Sequence, residues 1–338
     1  MIPHTDLQWQ ALTWQQELKE AIRCPIELLS FLDLEPDQAE SRALASRDFP
    51  MLVPRPFASK MKRGDRRDPL LLQVLPSPEE LCNPAGYTRD PLQESLKNPV
   101  PGLIHKYHGR VLLIAAPGCA VNCRYCFRRH FEYSANSPSQ SHWPQTLDYI
   151  AADSSISEVI LSGGDPLLLN DSLLEEFIER ISAISHVRRL RIHTRLPVVL
   201  PARLTLQLSN ILGQSRLQCV MVIHCNHANE IDENLASSLK KFAASGVTLL
   251  NQSVLLRGIN DSAEVLATLS ETLFDARVMP YYLHLLDHVS GAAHFDLPQS
   301  RALEIYEELL AKCSGYLVPR LVRECPSTAS KIPLTPYT

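Results

Sequence analysis

From Val111 onward the chain alternates short runs of aliphatic and β-branched residues with stretches whose apolar positions recur at helical spacing. The runs are VLLIAAP (Val111 to Pro117), EVILSGG (Glu158 to Gly164), LRIHTR (Leu190 to Arg195), CVMVIHC (Cys219 to Cys225), VTLLNQSVLL (Val247 to Leu256) and VMPYYLHLL (Val278 to Leu286). Between them, Leu173, Leu174, Phe177, Ile178, Ile181 and Ile184 form one helical stripe, and Ile231, Leu235, Leu239 and Phe242 form another. Asp261 with Glu264 resembles a capping box that opens a further helix. Near-continuous apolar strands alternating with helices predict a parallel sheet covered on its outer face. Six such strands can make a partial β/α barrel or an open doubly wound sheet. No Gly-x-Gly-x-x-Gly follows the first strand, which weakens the dinucleotide fold. Polar residues gather at the strand ends: Cys119 onward, Gly163-Gly164-Asp165, His193 to Arg195, His224 and Asn226, Asn251 and Gln252, His284 and Asp287. One polar group per strand end is the layout of a barrel mouth. The expected fold is therefore α/β, a partial (β/α)6 barrel.

The first hundred residues lack this rhythm. Helical stretches near Trp14 to Ile22 and Pro25 to Leu32 precede proline-punctuated sequence (FPMLVPRPF, LLLQVLPSPEEL, NPVPG). The expected organisation is a helix-and-loop lead-in over 1–100 wrapping a barrel over 101–315, then a C-terminal segment over 316–338. A chain of 338 residues with 45% apolar and 21% charged residues has a globular make-up. A net charge of −4 gives no argument for nucleic-acid binding. The basic run KMKRGDRR (Lys60 to Arg67) reads as a solvated face. No run approaches the ~18 apolar residues of a membrane span. The N-terminus lacks a secretory pattern, so the expected compartment is the cytoplasm, where thiols stay reduced.

That compartment sharpens the question of the nine cysteines. Six are scattered, and most of them read as buried small hydrophobes. Cys119, Cys123 and Cys126, in PGCAVNCRYCFRRHF, are spaced C-x3-C-x2-C. Zinc would want a fourth ligand, for which His130 is available. A redox pair of Cys123 and Cys126 would want a thioredoxin-like context, which is missing. Packing of three thiols in an arginine-rich loop is a poor account. A [4Fe–4S] cluster ordinarily takes four thiolates; three leave one iron open for chemistry.

This cysteine loop after the first barrel strand resembles that of the radical S-adenosylmethionine (radical SAM) superfamily. Ser162-Gly163-Gly164-Asp165-Pro166 resembles its GGEP-type motif. The resemblance implies a cluster on Cys119, Cys123 and Cys126, and SAM on the open iron beside Gly163, Gly164 and Asp165. Further stretches are similar to one branch, the lysine 2,3-aminomutases. They are KYHGRVLL, CRYCFRRHF, RIHTRLPVVLPARLT, HCNHANEI, NQSVLLRGIND and PYYLHLLD, in order over Pro50 to Pro333. That branch adds pyridoxal phosphate (PLP), with Lys331 as its Schiff-base lysine and Lys106 and Arg110 at its phosphate. The resemblance also implies cofactor contacts from His224 and Gln252. Arg128 would hold the carboxylate of L-lysine, and Asp287 and Glu324 its ε-ammonium.

Two departures matter. The run before Lys331 is PSTAS (Pro326 to Ser330) where the branch is usually glycine-rich, and a cysteine-bearing C-terminal extension is missing. Both features resemble the shorter bacterial members that make (R)-β-lysine for elongation factor P. That resemblance implies a functional link to the factor and its lysyl ligase, and an electron donor such as flavodoxin or ferredoxin. The alternatives are a catabolic or osmolyte-producing aminomutase, or a non-catalytic iron–sulfur module. No nucleic acid or membrane partner is expected.

Overall fold

The computed structural model describes residues 13–133, 136 and 143–336. Nine strands lie side by side in chain order: β1 (Leu103–Tyr107), β2 (Arg110–Ala116), β3 (Glu158–Gly163), β4 (Arg189–Thr194), β5 (Gln218–His224), β6 (Thr248–Val254), β7 (Met279–His284), β8 (Arg320–Arg323) and β9 (Ile332–Pro333). Neighbours from β2 to β8 are parallel, and β1 and β9 run antiparallel at the two edges. Each of the six apolar runs overlaps the strand it predicts, with β2, β4 and β5 beginning one residue before their runs. The parallel series is one strand longer than expected, because β8 follows the sixth run. β1, β8 and β9 (LIHKY, RLVR, IP) are too short or too polar to announce themselves by pattern.

The helices are α1 (Trp14–Lys19), α2 (Pro25–Phe31), α3 (Ala39–Asp48), α4 (Arg55–Ala58) and α5 (Pro69–Leu72) in the lead-in. Then come α6 (Trp143–Ala152), α7 (Asp171–Ser182), α8 (Leu196–Val199), α9 (Leu206–Gly213), α10 (Glu233–Ala244), α11 (Ala263–Asp275) and α12 (Gln299–Lys312). The two apolar stripes sit on α7 and α10, whose N-caps Asn170 and Asp232 accept from Leu173 N and Leu235 N at 2.8 Å each. The capping box expected at Asp261 does not form. Ser262 is the extended residue before α11 and accepts from Val265 N, whereas Asp261 accepts from Gly258 N at 3.0 Å and Glu264 pairs with Lys312. The first residue outside the helix caps it, and here that is the serine.

Alternate residues of each strand face opposite sides. Val111, Leu113, Val159, Leu161, Leu190, Ile192, Met221, Ile223 and Leu249 join the apolar faces of α7 and α10 in one core. Each such side chain contributes about 1.5–3 kcal/mol by leaving water. The opposite parity turns Arg110, Glu158, Ser162, Arg191, His193, His224, Gln252, Tyr282 and His284 toward the barrel lumen. The lead-in shares the barrel's core: Trp14, Ile22, Leu28, Phe57 and Leu70 belong to the same cluster. It also grips the loop after β2, through Asn122 N to Leu52 O at 3.2 Å and Arg124 N to Gln73 O at 2.9 Å.

Candidate active site

Residues 117–131 carry the cysteines and have almost no regular structure, so their shape depends on side chains and close packing. Arg124 is completely buried, donating to Glu80 Oε1 at 2.8 Å and Phe49 O at 2.7 Å. Arg129 donates to Glu80 Oε2 at 2.8 Å and to Gly291 O at 3.0 Å. One lead-in carboxylate thus bridges two of the loop's three arginines. The signal for Glu80 was legible only as a capping box: Ser77 N donates to Glu80 Oε1 at 2.9 Å. Its second task needed the tertiary structure.

The other clamp is backbone on backbone. A Cβ on Gly164 would stand 2.0 Å from Gly118 O, and one on Gly163 (φ +102°) would stand 2.9 Å from Ile114 Cα. Gly164 N donates to Ala116 O at 3.0 Å, and Asp165 N to Gly118 O at 2.7 Å. The two glycines are needed for the cysteine loop to lie on the loop after β3. Asp165 is spent internally: its carboxylate accepts from Thr194 Oγ1, Leu167 N, Arg195 N and Leu196 N at 2.7 to 3.1 Å. It ties β3 to the end of β4, while Gly163 O accepts from Tyr133 Oη at 2.9 Å.

Burial and the neighbouring thiol of Cys126 push the Cys119 thiol well up; burial and Cys123 push Cys126 up to about 11. Thiols so disposed gain most from a positively charged centre that takes them as thiolates. Among the described residues, no group of three or more His, Cys, Asp and Glu side chains surrounds one point closely enough for a single ion. A cluster differs in its demand, since each thiolate binds a different iron. His130, the zinc alternative's fourth ligand, meets Ser290 O at 3.2 Å. The three-thiol loop fits a cluster better than a lone ion.

At the seam between the first and last strands, Glu324 gathers three partners. Lys106 Nζ donates to its Oε1 at 2.8 Å, Tyr107 Oη at 3.0 Å, and Lys331 Nζ pairs with its Oε2. Burial opposes the charge on Glu324, but Lys331 and Lys106 outweigh it and hold its carboxyl well below the usual range. Asp287 faces the same group. Burial first, then the Glu324 carboxylate, push it up to about 7 against the pull of Lys331. Lys331, Lys106, Asp287 and Glu324 are therefore brought together. Arg110 lies farther off, at the start of β2, with its guanidinium 4.7 Å from the Tyr107 ring. It lines a cavity of about 630 Å³ with Arg188, Arg189 and His186.

Between thiols and seam the lumen is lined by imidazoles. His224 Nε2 meets Gln252 Nε2 at 2.7 Å and its ring lies 6.0 Å from that of His193. Burial drives all three histidines toward neutrality: His224 down to about 3, His193 and His284 well below their ordinary value. His193 Nε2 and His284 Nε2 are buried without a partner. Two orphaned ring nitrogens beside Lys331 are a cradle for a polar planar ligand such as PLP, so the seam fits that cofactor. Neither histidine was singled out as a cofactor contact, for a lone histidine in a strand usually packs.

Arg128 is the remaining expected residue. It is buried, and its fork is already filled: Nε and Nη2 each lie 2.7 Å from a carboxylate oxygen of Glu94, while Nη1 donates to Ser162 Oγ at 3.1 Å. Glu94 was missed because an acidic residue in a proline-rich lead-in carries no signal of its own. A second cavity, of about 560 Å³, opens between Thr88 to Gln93 and Asp287, Arg323 and Glu324.

The Radical SAM superfamily matches residues 113–207. The chain is 50% identical over 325 residues to an L-lysine 2,3-aminomutase of Escherichia coli (strain K12), covering 95% of this chain and 94% of that one. It is 48% identical to an L-lysine 2,3-aminomutase of Haemophilus influenzae, covering 98% of each. With one from Clostridium subterminale it shares 37% identity over 98% of this chain and 79% of that one. The three-thiol loop, the glycine clamp and these likenesses over most of the chain agree: the chain belongs to the L-lysine 2,3-aminomutase family of the radical SAM superfamily.

Proposed function

We propose that the chain moves the amino group of L-lysine from Cα to Cβ, giving β-lysine, with a [4Fe–4S] cluster, SAM and PLP as cofactors. The observation that carries this reading is one lumen with three thiols at one end and a lysine–carboxylate seam at the other. When bound, the cluster with SAM supplies a radical able to take hydrogen from an unactivated C–H, and PLP supplies the π-system through which nitrogen shifts.

The chain's own residues bind and orient. Cys119, Cys123 and Cys126 hold the cluster, with Gly163 and Gly164 giving backbone access beside it. Lys331 carries PLP, with Lys106 and Arg110 toward its phosphate and His224 and Gln252 along its ring. Arg128 meets the α-carboxylate from the Nη1 side, where Ser162 now sits. Glu324 is paired with Lys106 on one oxygen and with Lys331 on the other in the resting chain. Once Lys331 gives up that place, the substrate's ε-ammonium is the cation that replaces it. The same ammonium favours the ionised form of Asp287, whose proton is otherwise retained to near neutrality. The neutral imidazoles keep the lumen free of competing charge.

The product is (R)-β-lysine, attached by a lysyl ligase to elongation factor P in the cytoplasm, with flavodoxin or ferredoxin as electron donor. The PSTAS segment before Lys331 supports this finer reading. No helix among the described residues is long and apolar enough to cross a membrane. Anaerobic incubation of reconstituted protein with SAM, reductant and L-lysine, with chiral chromatography of the product, tests the reaction. Recovery of only α-lysine sinks it. An unchanged mass of elongation factor P in a deletion strain sinks the downstream role alone.

A further inference from the structure

Arg195 stands just past β4, where Asp165 accepts its backbone N–H at 2.8 Å. Its side chain is buried. Nη1 donates to Cys123 Sγ at 3.0 Å and also meets the Tyr125 hydroxyl. Nη2 donates to Gln73 Oε1 at 2.8 Å and Glu230 Oε2 at 3.2 Å. Glu230 is fixed in turn, accepting from Asn226 N at 2.9 Å, His227 N at 3.0 Å and Gln73 Nε2 at 3.1 Å. The rings of Tyr125 and Phe57 lie 5.5 and 5.7 Å from the guanidinium carbon. The fork is thus held on one side by a rigid carboxylate and aimed on the other at a sulfur.

Stability alone is a poor account of this network. A buried ion pair can often be exchanged for apolar residues at no loss. Hydrogen bonds to a ligating sulfur, by contrast, withdraw electron density and are a recognised lever on cluster potential. We infer that Arg195 donates to the Cys123 thiolate and raises the reduction potential of the cluster, easing entry of the electron that starts the reaction. The step concerned adds one electron from a one-electron donor to the oxidised cluster, [4Fe–4S]2+ to [4Fe–4S]+. No proton moves and no bond breaks; the Glu230 charge offsets the guanidinium in both states. The inference rests on the cluster being held by Cys119, Cys123 and Cys126. Arg195 is a positioning and tuning residue, acting through Cys123.

Two variants test it on the reconstituted full chain: Arg195→Lys, which keeps the charge but not the fork, and the double neutral exchange Arg195→Gln with Glu230→Gln, which leaves no unpaired buried charge. Iron content, melting temperature and the midpoint potential from EPR-monitored dithionite titration are read for each. The double variant should keep its iron and lose about tenfold in the reduction equilibrium, about 59 mV toward negative potential for one electron. Arg195→Lys should shift in the same direction by less. Loss of iron from Arg195→Lys at unchanged melting temperature also supports the contact. A wild-type potential in either iron-loaded variant overturns it, as does collapse of the fold in both. A wild-type chain that takes up no cluster overturns the cluster assignment itself, a separate failure.

Discussion

The two ends of the lumen are built on opposite plans. At the thiol end, loops without regular structure are fixed by backbone contact and buried charge: Gly164 against Gly118, and Glu80 between Arg124 and Arg129. At the seam, Lys331 sits in a segment whose neighbours Ser330 and Ile332 are exposed, tied to the barrel by the two-residue β9 and by Glu324. The difference teaches which part must be rigid. A cluster needs its thiolates preplaced, since a misplaced sulfur is a lost ligand. A lysine with the role proposed for Lys331, which leaves and rejoins its carboxylate partner, needs a tether it can let go.

Replacing Glu80 by alanine should break the rigid end most severely. It strands two buried guanidinium groups, and loss of one partner of such a network costs about 3–5 kcal/mol. Denaturant unfolding should register the loss, and reconstituted iron should fall with it. Gly164→Ala comes next: its methyl group would drive into the Gly118 backbone, at about 1–3 kcal/mol for overpacking. Iron uptake should drop while borohydride still fixes PLP to Lys331. Equal loss of both signals would mean that the two ends are not separate.

The seam should answer to pH instead. Native Asp287 keeps its proton up to about 7. The unfolded chain releases it near an ordinary aspartate value, ~3.9. Between those values the unfolded state holds fewer protons, so this group's contribution to stability falls as pH rises. Asp287→Asn removes the fall. Its melting temperature should gain on wild type steadily from pH 4 to pH 7 and run parallel above, with iron unchanged. A constant difference across that window would show that Asp287 is not the proton holder. Lys331→Ala should have the smallest effect on stability, below about 1 kcal/mol, as for a partly exposed pair. The label fixed by borohydride should nonetheless vanish, with the cluster intact by iron assay.

The same contrast separates what was legible beforehand. Near-continuous apolar runs alternating with period-3.6 stripes, with one polar group per strand end, gave the barrel, because they are local consequences of what each element must bury. Three cysteines in eight residues gave the thiol loop, because ligands of one cluster can be neighbours in sequence. The antiparallel edges and β8 were hidden, being set by pairing with distant strands and not by their own composition. The partners of Glu80, Glu94 and Arg195 were hidden for the same reason. Each of the three is an ordinary charged residue until folding brings it within hydrogen-bond reach of one partner, across 44 residues to Arg124, 34 to Arg128 and 72 to Cys123. Sequence alone thus determined the scaffold and the clustering of the three thiols, whose physics is local. Which carboxylate answers which cation, and which sulfur receives an arginine, only the tertiary structure decided, because charge pairing depends on distance in space and leaves no period in the chain.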